Sequence, residues 1–271
     1  MKEVAAGVYV FRQSILDVNV GLIVGGEAAL VVDTLSTDAQ AVELLAAVRR
    51  VTSLPLQAVN THHHFDHSFG NAVFAAQGTP IWGQEEAAAI LRTRGDLLRK
   101  RWCEEWAATE PDLVAAMATV TVYPPDRTVR VESTVDLGGR VVELRHFGRG
   151  HSAGDLVVLV LDADAVFAGD LIEESGPPQF DDAYPLDWPD TLAGLLMRLA
   201  ETSPVIPGHG TVVDKAFVRE QHEQLTALDW LIRDGDADGA PMQRVAAKSP
   251  FDLDTSLVAV RRGYDQLTGK A

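Results

Sequence analysis

The chain has 271 residues, 46% of them hydrophobic and 23% charged, with a formal net charge of −16. That length is enough for a sizeable core, and the composition excludes a largely disordered chain. The acidic balance excludes a sequence-independent grip on nucleic acid, which needs a basic footprint.

The chain starts Met1-Lys2-Glu3-Val4 without an apolar h-region, so no signal peptide is expected. No apolar run reaches the roughly 18 residues of a membrane span. A soluble cytoplasmic protein with no membrane partner is therefore expected. Strands are predicted at 8–11, 18–24 and 28–33 from their β-branched residues, with Gly25-Gly26-Glu27 turning the last two into a hairpin. Residues 37–51 carry Val42, Leu45, Ala46 and Val48 at helical spacing, with Ser36 or Thr37 as N-cap. Pro55 ends that helix, and 56–60 is a short strand. A helix is expected from Ser68, and 84–117 reads as helical, broken near Glu110-Pro111. A second β-rich block spans 128–131, 135–137, 141–147, 156–161 and 165–168. Residues 189–202 are predicted helical, 205–206 a short strand, and 215–233 and 253–267 helices, with an Asp- and Gly-rich loop between them.

Alternating strands and helices favour an α/β layer architecture. No composition break marks a linker and no long repeat is present. One domain is expected over residues 1–271, with two β-rich halves each backed by helices. A helical insert at 84–117 and a C-terminal helical segment at 214–271 complete it.

The most informative segment is His62-His63-His64-Phe65-Asp66-His67, which concentrates four of the eight histidines in six positions. It lies between a strand and a helix. In an extended segment residues two apart point the same way, so His62 and His64 converge on one ion while His63 and Phe65 point away. Asp66 and His67, at the bend into the helix, aim at a second point. Imidazoles and a carboxylate without thiolates suit zinc best, with iron and manganese as alternatives. Further donors stand just beyond apolar strands: His151 in Gly150-His151-Ser152, Asp170 in Gly169-Asp170 and His209 in Gly208-His209-Gly210. Flanking glycines permit the tight turns that point such side chains back over the strand ends.

At these residues the chain resembles the metallo-β-lactamase-fold superfamily of metallohydrolases, over roughly residues 8–213. The resemblance implies an α/β fold, a four-layer αβ/βα sandwich. It implies one ion at His62, His64 and His151, a second at Asp66, His67 and His209, and Asp170 bridging them. Asp33, in Val31-Val32-Asp33-Thr34, would stand behind the histidine loop. Two divalent ions, zinc by preference, would activate a bridging hydroxide for hydrolysis, with Asp66 as the catalytic residue that orients it and passes on its proton. No organic cofactor is required, and the partner is a small-molecule substrate. True β-lactamases of the superfamily commonly place cysteine or a non-ligand where Asp170 stands, so an ester, thioester or lactone is the expected substrate class. β-Lactam or phosphodiester hydrolysis in the same site is the alternative. A mononuclear iron thiol or persulfide dioxygenase, and a non-enzymatic metal-holding module, are rival readings.

Other features carry plainer readings. The insert holds Arg92, Arg94, Arg99, Lys100 and Arg101, read as a solvated face rather than an anion guide. Relatives often place a lid or dimerisation element there, so a homo-oligomer is left open. Trp82, Trp102 and Trp106 are read as core packing rather than substrate wall. Tyr184, Asp187 and Trp188 either border the mouth of the site or pack a turn. Gly150-His151-Ser152-Ala153-Gly154 matches a nucleophile elbow, which would make Ser152 the nucleophile of a serine hydrolase, but a strand rather than a helix is predicted after it. The Asp234-to-Gly239 run mimics a calcium loop but carries Val245 where the closing Glu belongs. Cys103 is read as a buried small residue.

Overall fold

Apolar runs separated by Gly- and Asp-bearing turns pair as strands in the computed structural model, which describes residues 1–270. The first half contains β1 (Lys2–Ala5), β2 (Val8–Gln13), β3 (Val18–Val24), β4 (Ala29–Val32), α1 (Asp38–Arg49), β5 (Leu56–Val59), α2 (Phe65–Ser68), α3 (Asn71–Ala75), β6 (Ile81–Gln84), α4 (Glu85–Trp106), α5 (Pro111–Met117) and β7 (Arg127–Val129). The second half contains β8 (Glu132–Asp136), β9 (Val141–Arg145), β10 (Val157–Val160), β11 (Ala165–Glu173), α6 (Trp188–Leu196), β12 (Val205–His209), α7 (Lys215–Ala237), α8 (Met242–Ala246) and α9 (Leu253–Leu267).

Short turns make β1 to β4 antiparallel neighbours. Helical crossovers then make β4, β5, β6 and β7 parallel, as a parallel connection requires. The second leaf runs β8-β9-β10-β11 antiparallel and adds β12 parallel to β11 across α6. A single antiparallel pair, Val18 with His209, joins the two leaves.

Side chains alternate between two cores, as the period of two in a strand requires. Ile23, Leu30 and Val32 of the first leaf meet Val158, Phe167 and Ile206 of the second in an inner core. Val20, Leu22 and Val31 face outward, where Leu44, Val48 and Phe74 of α1 and α3 cover them. Val157, Leu159 and Val205 face the opposite way, under Leu192, Leu195, Leu225 and Val260 of α6, α7 and α9. The result is the expected αβ/βα sandwich. Helix starts are fixed by side-chain oxygens: Thr37, Asp214 and Asp252 accept from the backbone N–H groups of Gln40, Phe217 and Thr255.

Four expectations need correction. The helix expected over 189–202 ends at Leu196. The helix after the histidine run begins at Phe65, one turn before Ser68. The strand expected to stop at residue 168 continues to Glu173, buried along its whole length. The Asp-Gly run at 234–239 is the last turn and cap of α7 rather than an extended loop, because α7 continues through Ala237. Two strands carried no assignment from sequence: β1, which pairs only with β2, and β6, which lies between β5 and β7.

Candidate metal centre

Strand ends deliver the donors. β5 stops at Val59, and Asn60 holds the following loop by donating to His67 O at 2.9 Å and exchanging hydrogen bonds with Asn71. Ser68 Oγ donates to the carbonyls of His63 and His64. The loop thus closes on itself, and residues 61–64, a run of bends rather than the extended stretch expected, lead into α2 with His64 as its N-cap residue. Gly169, at φ +55°, lies against Thr61, so a Cβ would collide with that side chain. Gly208 approaches Asp170 so closely that a Cβ would overlap its Oδ1. These two glycines let β11 and β12 bring Asp170 and His209 beside the loop.

Two donor clusters result. His62, His64, His151 and Asp170 form one, and Asp66, His67 and His209 the other. In the first, Asp170 Oδ2 lies 3.7 Å from His62 Nε2 and 3.4 Å from His151 Nε2, while His64 Nδ1 is 2.9 Å from His151 Nε2. In the second, Asp66 Oδ2 is 3.5 Å from His67 Nε2 and 3.3 Å from His209 Nε2. Asp170 reaches this cluster too, at 3.1 Å from His67 Nε2 and 3.3 Å from His209 Nε2. Donors at zinc-ligand bond lengths around a tetrahedral ion stand roughly 3.3–3.5 Å apart, so the spacing fits.

The unmade bonds point the same way. His62 Nε2 and Asp170 Oδ1 are buried without a hydrogen-bond partner. Leaving such atoms unsatisfied is costly, and a divalent cation satisfies both. Most of the rings are anchored on their far side. His62 Nδ1 contacts Thr61 Oγ1 at 3.1 Å, His67 Nδ1 contacts Asp33 Oδ2 at 2.9 Å, and His209 Nδ1 donates to Leu16 O at 2.6 Å. Such partners fix ring orientation and tautomer in metal sites.

The electrostatics divide the rings. Burial pushes His62 well below its usual range and His151 down to about 4, so both stand neutral, the state a ligand requires. Burial also opposes charge on His67 and His209, yet Asp170 and the neighbouring carboxylates carry both well above the ordinary histidine value. Asp170 itself sits well below the carboxylate range: burial works against ionisation, and His67 and His209 overcome it.

All seven residues singled out from the sequence meet here, with Asp33 directly behind them. A cavity of about 710 Å³ opens above, and Trp102 and Trp106 of α4 form part of its wall. The core-packing reading holds for Trp82, which packs against the inner core, but Trp102 and Trp106 also face the cavity. Arg94 and Arg101 line it as well, so the basic insert is not wholly a solvated face. Tyr184 borders the cavity, stacked under Arg149 at 4.2 Å, whereas Trp188 is fully buried. Ser152 is buried, donates to Asp155 Oδ1 at 2.6 Å and is followed by β10 rather than a helix, so it is no nucleophile elbow. Cys103 is half-buried on α4, its thiol pushed up by burial. Sequence reasoning missed Asp182 and Asp155, which carry no motif and acquire their roles only through the folded loops. Among the described residues no helix is long and apolar enough to cross a membrane.

The fold and the two donor clusters together define a metallo-β-lactamase-type sandwich with a candidate metal centre. The chain belongs to the metallo-β-lactamase superfamily, whose family model matches residues 15–209. It is similar to a protein of Gallus gallus named acyl-coenzyme A thioesterase MBLAC2, with 31% identity over 57% of this chain and 57% of that protein. The Bos taurus protein of the same name is 28% identical over 70% of this chain and 72% of its own. Among solved structures, DIM-1 metallo-β-lactamase superposes with a TM-score of 0.66 at 20% identity, over 83% of this chain and 96% of that one. A metallo-β-lactamase from Pontibacter korlensis gives 0.64 at 22%, over 83% and 97%.

Proposed function

We propose that this chain hydrolyses a small thioester, ester or lactone at a pair of divalent ions, zinc by donor chemistry. His62, His64 and His151 would hold one ion, Asp66, His67 and His209 the other, with Asp170 between them. The observation that carries the reading is the position of Asp170, whose carboxylate is within 3.7 Å of donors in both clusters. Bound there, divalent ions polarise a scissile carbonyl and bring the pKa of water toward neutrality.

The chain's own groups supply the rest. His67 and His209 draw the Asp66 carboxyl below its usual range against the opposing effect of burial. Asp66 is therefore an ionised acceptor, which would take a proton from the attacking water and return it to the leaving group. Trp102, Trp106 and Phe65 give the cavity an apolar side suited to an acyl chain. The thioester is favoured within this class by the two vertebrate relatives named acyl-coenzyme A thioesterases. The chain acts as one domain, with α4 forming a wall of the cavity, α5 packed in the cluster beneath it, and α7 to α9 backing the second leaf.

The test is metal analysis joined to a panel of thioesters, esters, lactones, β-lactams and phosphodiesters. Two ions per chain and thioester turnover abolished by a chelator are expected. One iron per chain with oxygen consumption would replace hydrolysis with the dioxygenase reading.

A further inference from the structure

Two residues beside the site have no part in the seven-donor set. His63 is 2% exposed and its Nδ1 has no hydrogen-bond partner. Asp182 lies on the loop between β11 and α6 and lines the cavity. They meet: Asp182 Oδ2 is 3.2 Å from His63 Nε2, and Asp182 Oδ1 is 3.0 Å from His64 Nε2.

His64 is turned opposite to its neighbours. His62, His67 and His209 are held at Nδ1 and present Nε2 to the cluster, whereas His64 presents Nδ1 and is held at Nε2. A neutral imidazole carries one N–H, and a ligand nitrogen must be bare. An ionised carboxylate only accepts, so Asp182 places the proton of His64 on Nε2 and leaves Nδ1 free. His63 donates to the other oxygen and turns the carboxylate so that Oδ1 faces His64.

We infer that Asp182 is a positioning residue for the centre, setting the ring orientation and tautomer of His64 and so the affinity for the ion at His62, His64 and His151. This rests on the dinuclear reading above. His63, His64 and Asp182 also lie close enough together to hold an ion of their own. That would require stripping the second proton from His64 while its Nδ1 serves the main cluster, and a hydrogen bond satisfies the same atoms without that cost.

The experiment compares wild type with Asp182→Ala, Asp182→Asn, Asp182→Glu and His63→Ala. Zinc affinity is read by competition with a chromophoric chelator, ligand geometry by the visible spectrum of the cobalt(II)-substituted protein, and folding by melting of the metal-free form. Asp182→Ala is expected to weaken one of two ions by about tenfold to a hundredfold, leave the other, and alter the cobalt spectrum. Asp182→Asn keeps the shape of the side chain and should fall between Ala and wild type. Asp182→Glu should recover part of the affinity, and His63→Ala should cost less than Asp182→Ala. Wild-type affinity for both ions with an unaltered cobalt spectrum in Asp182→Ala overturns the inference. A third equivalent bound by wild type and lost in Asp182→Ala overturns it too, making Asp182 a ligand. A wild-type protein that takes up no ion overturns the dinuclear reading, and the inference with it.

Discussion

Asp33 ties the two donor clusters together from behind: its Oδ2 accepts from His67 Nδ1 at 2.9 Å and from Thr61 Oγ1 at 2.8 Å, and Thr61 Oγ1 in turn contacts His62 Nδ1. Its Oδ1 accepts the Thr61 backbone N–H at 2.7 Å. One buried carboxylate therefore orients a histidine in each cluster. It stands just past the end of β4, at φ +68°, a backbone conformation that non-glycine residues rarely adopt.

Asp33→Ala should lower turnover about tenfold to a hundredfold through lost metal affinity. It also leaves Thr61 and His67 donors unpaired in the interior, at a cost of about 1–3 kcal/mol each in stability. Metal stoichiometry measured beside a denaturant melt checks both parts. A variant that keeps both ions and full turnover would show that Asp33 is only a turn residue.

Removing metal should abolish turnover while leaving the sandwich folded, because the two large cores contain no donor residue. The metal-free protein should melt lower, and zinc should raise the midpoint with its concentration, by about 2.7 kcal/mol of stability at a hundred times Kd. His62→Ala and Asp66→Ala should each abolish turnover and lower metal content while remaining soluble. Full activity in either variant would sink the assignment.

The donor set was legible because each later ligand stands near an apolar stretch and several stand in one short run; Asp170 and His209 prove to lie within the strands rather than beyond them. Asp33 could be placed for the same reason, at the end of a β-branched run. Asp182 could not, since its partner lies 118 residues away, and Asp155 could not, since its bond from Ser152 depends on how the short loop between them turns. The helical insert divided similarly. Its length and break at Pro111 follow from local propensity, but which of its arginines and tryptophans face the cavity depends on how α4 crosses the leaf. The end of β11 was misjudged because Asp170 and Glu173 are polar, and burial beside the site overrides their preference for loops.

Ser152 offers a sharp contrast with the serine-hydrolase pattern. Its hydroxyl donates to Asp155 and accepts the Gly154 N–H at 3.1 Å, so it serves as a brace for the loop carrying His151. Ser152→Ala should cost about 1–3 kcal/mol in stability yet keep turnover within about a hundredfold, far less than loss of a nucleophile costs. A serine-directed phosphonate should leave activity intact. Its inhibition would restore Ser152 as nucleophile.

Asp155 makes stability pH-dependent. Burial raises its carboxyl from the ordinary 3.8 to about 7, against the lowering effect of its bonds from Ser152. Between those values the folded state binds more proton than the unfolded one. The stabilisation is therefore fully present below about pH 4 and lost as pH rises through about 7, on the order of 4 kcal/mol in all. Asp155→Asn keeps an acceptor for Ser152 and removes the titrating group. Denaturant midpoints from pH 4 to 8 should thus fall less steeply in the variant than in wild type. Parallel profiles would mean that Asp155 stays ionised in the folded protein.

Trp102 packs over the histidine loop, with ring centroids 5.6 Å from His64 and 5.5 Å from Phe65. It is the large apolar surface nearest the first cluster on the α4 side of the cavity. If an acyl chain lies there, Trp102→Ala removes wall from the bound substrate but no group from the chemistry. For short acyl thioesters kcat should change little. For long ones kcat/KM should fall roughly tenfold, since a buried aromatic face contributes a few kcal/mol and the widened cavity recovers part of it. A chain-length series in both proteins reads this directly. An equal loss at every length would place Trp102 in support of His64 rather than in recognition of the acyl chain.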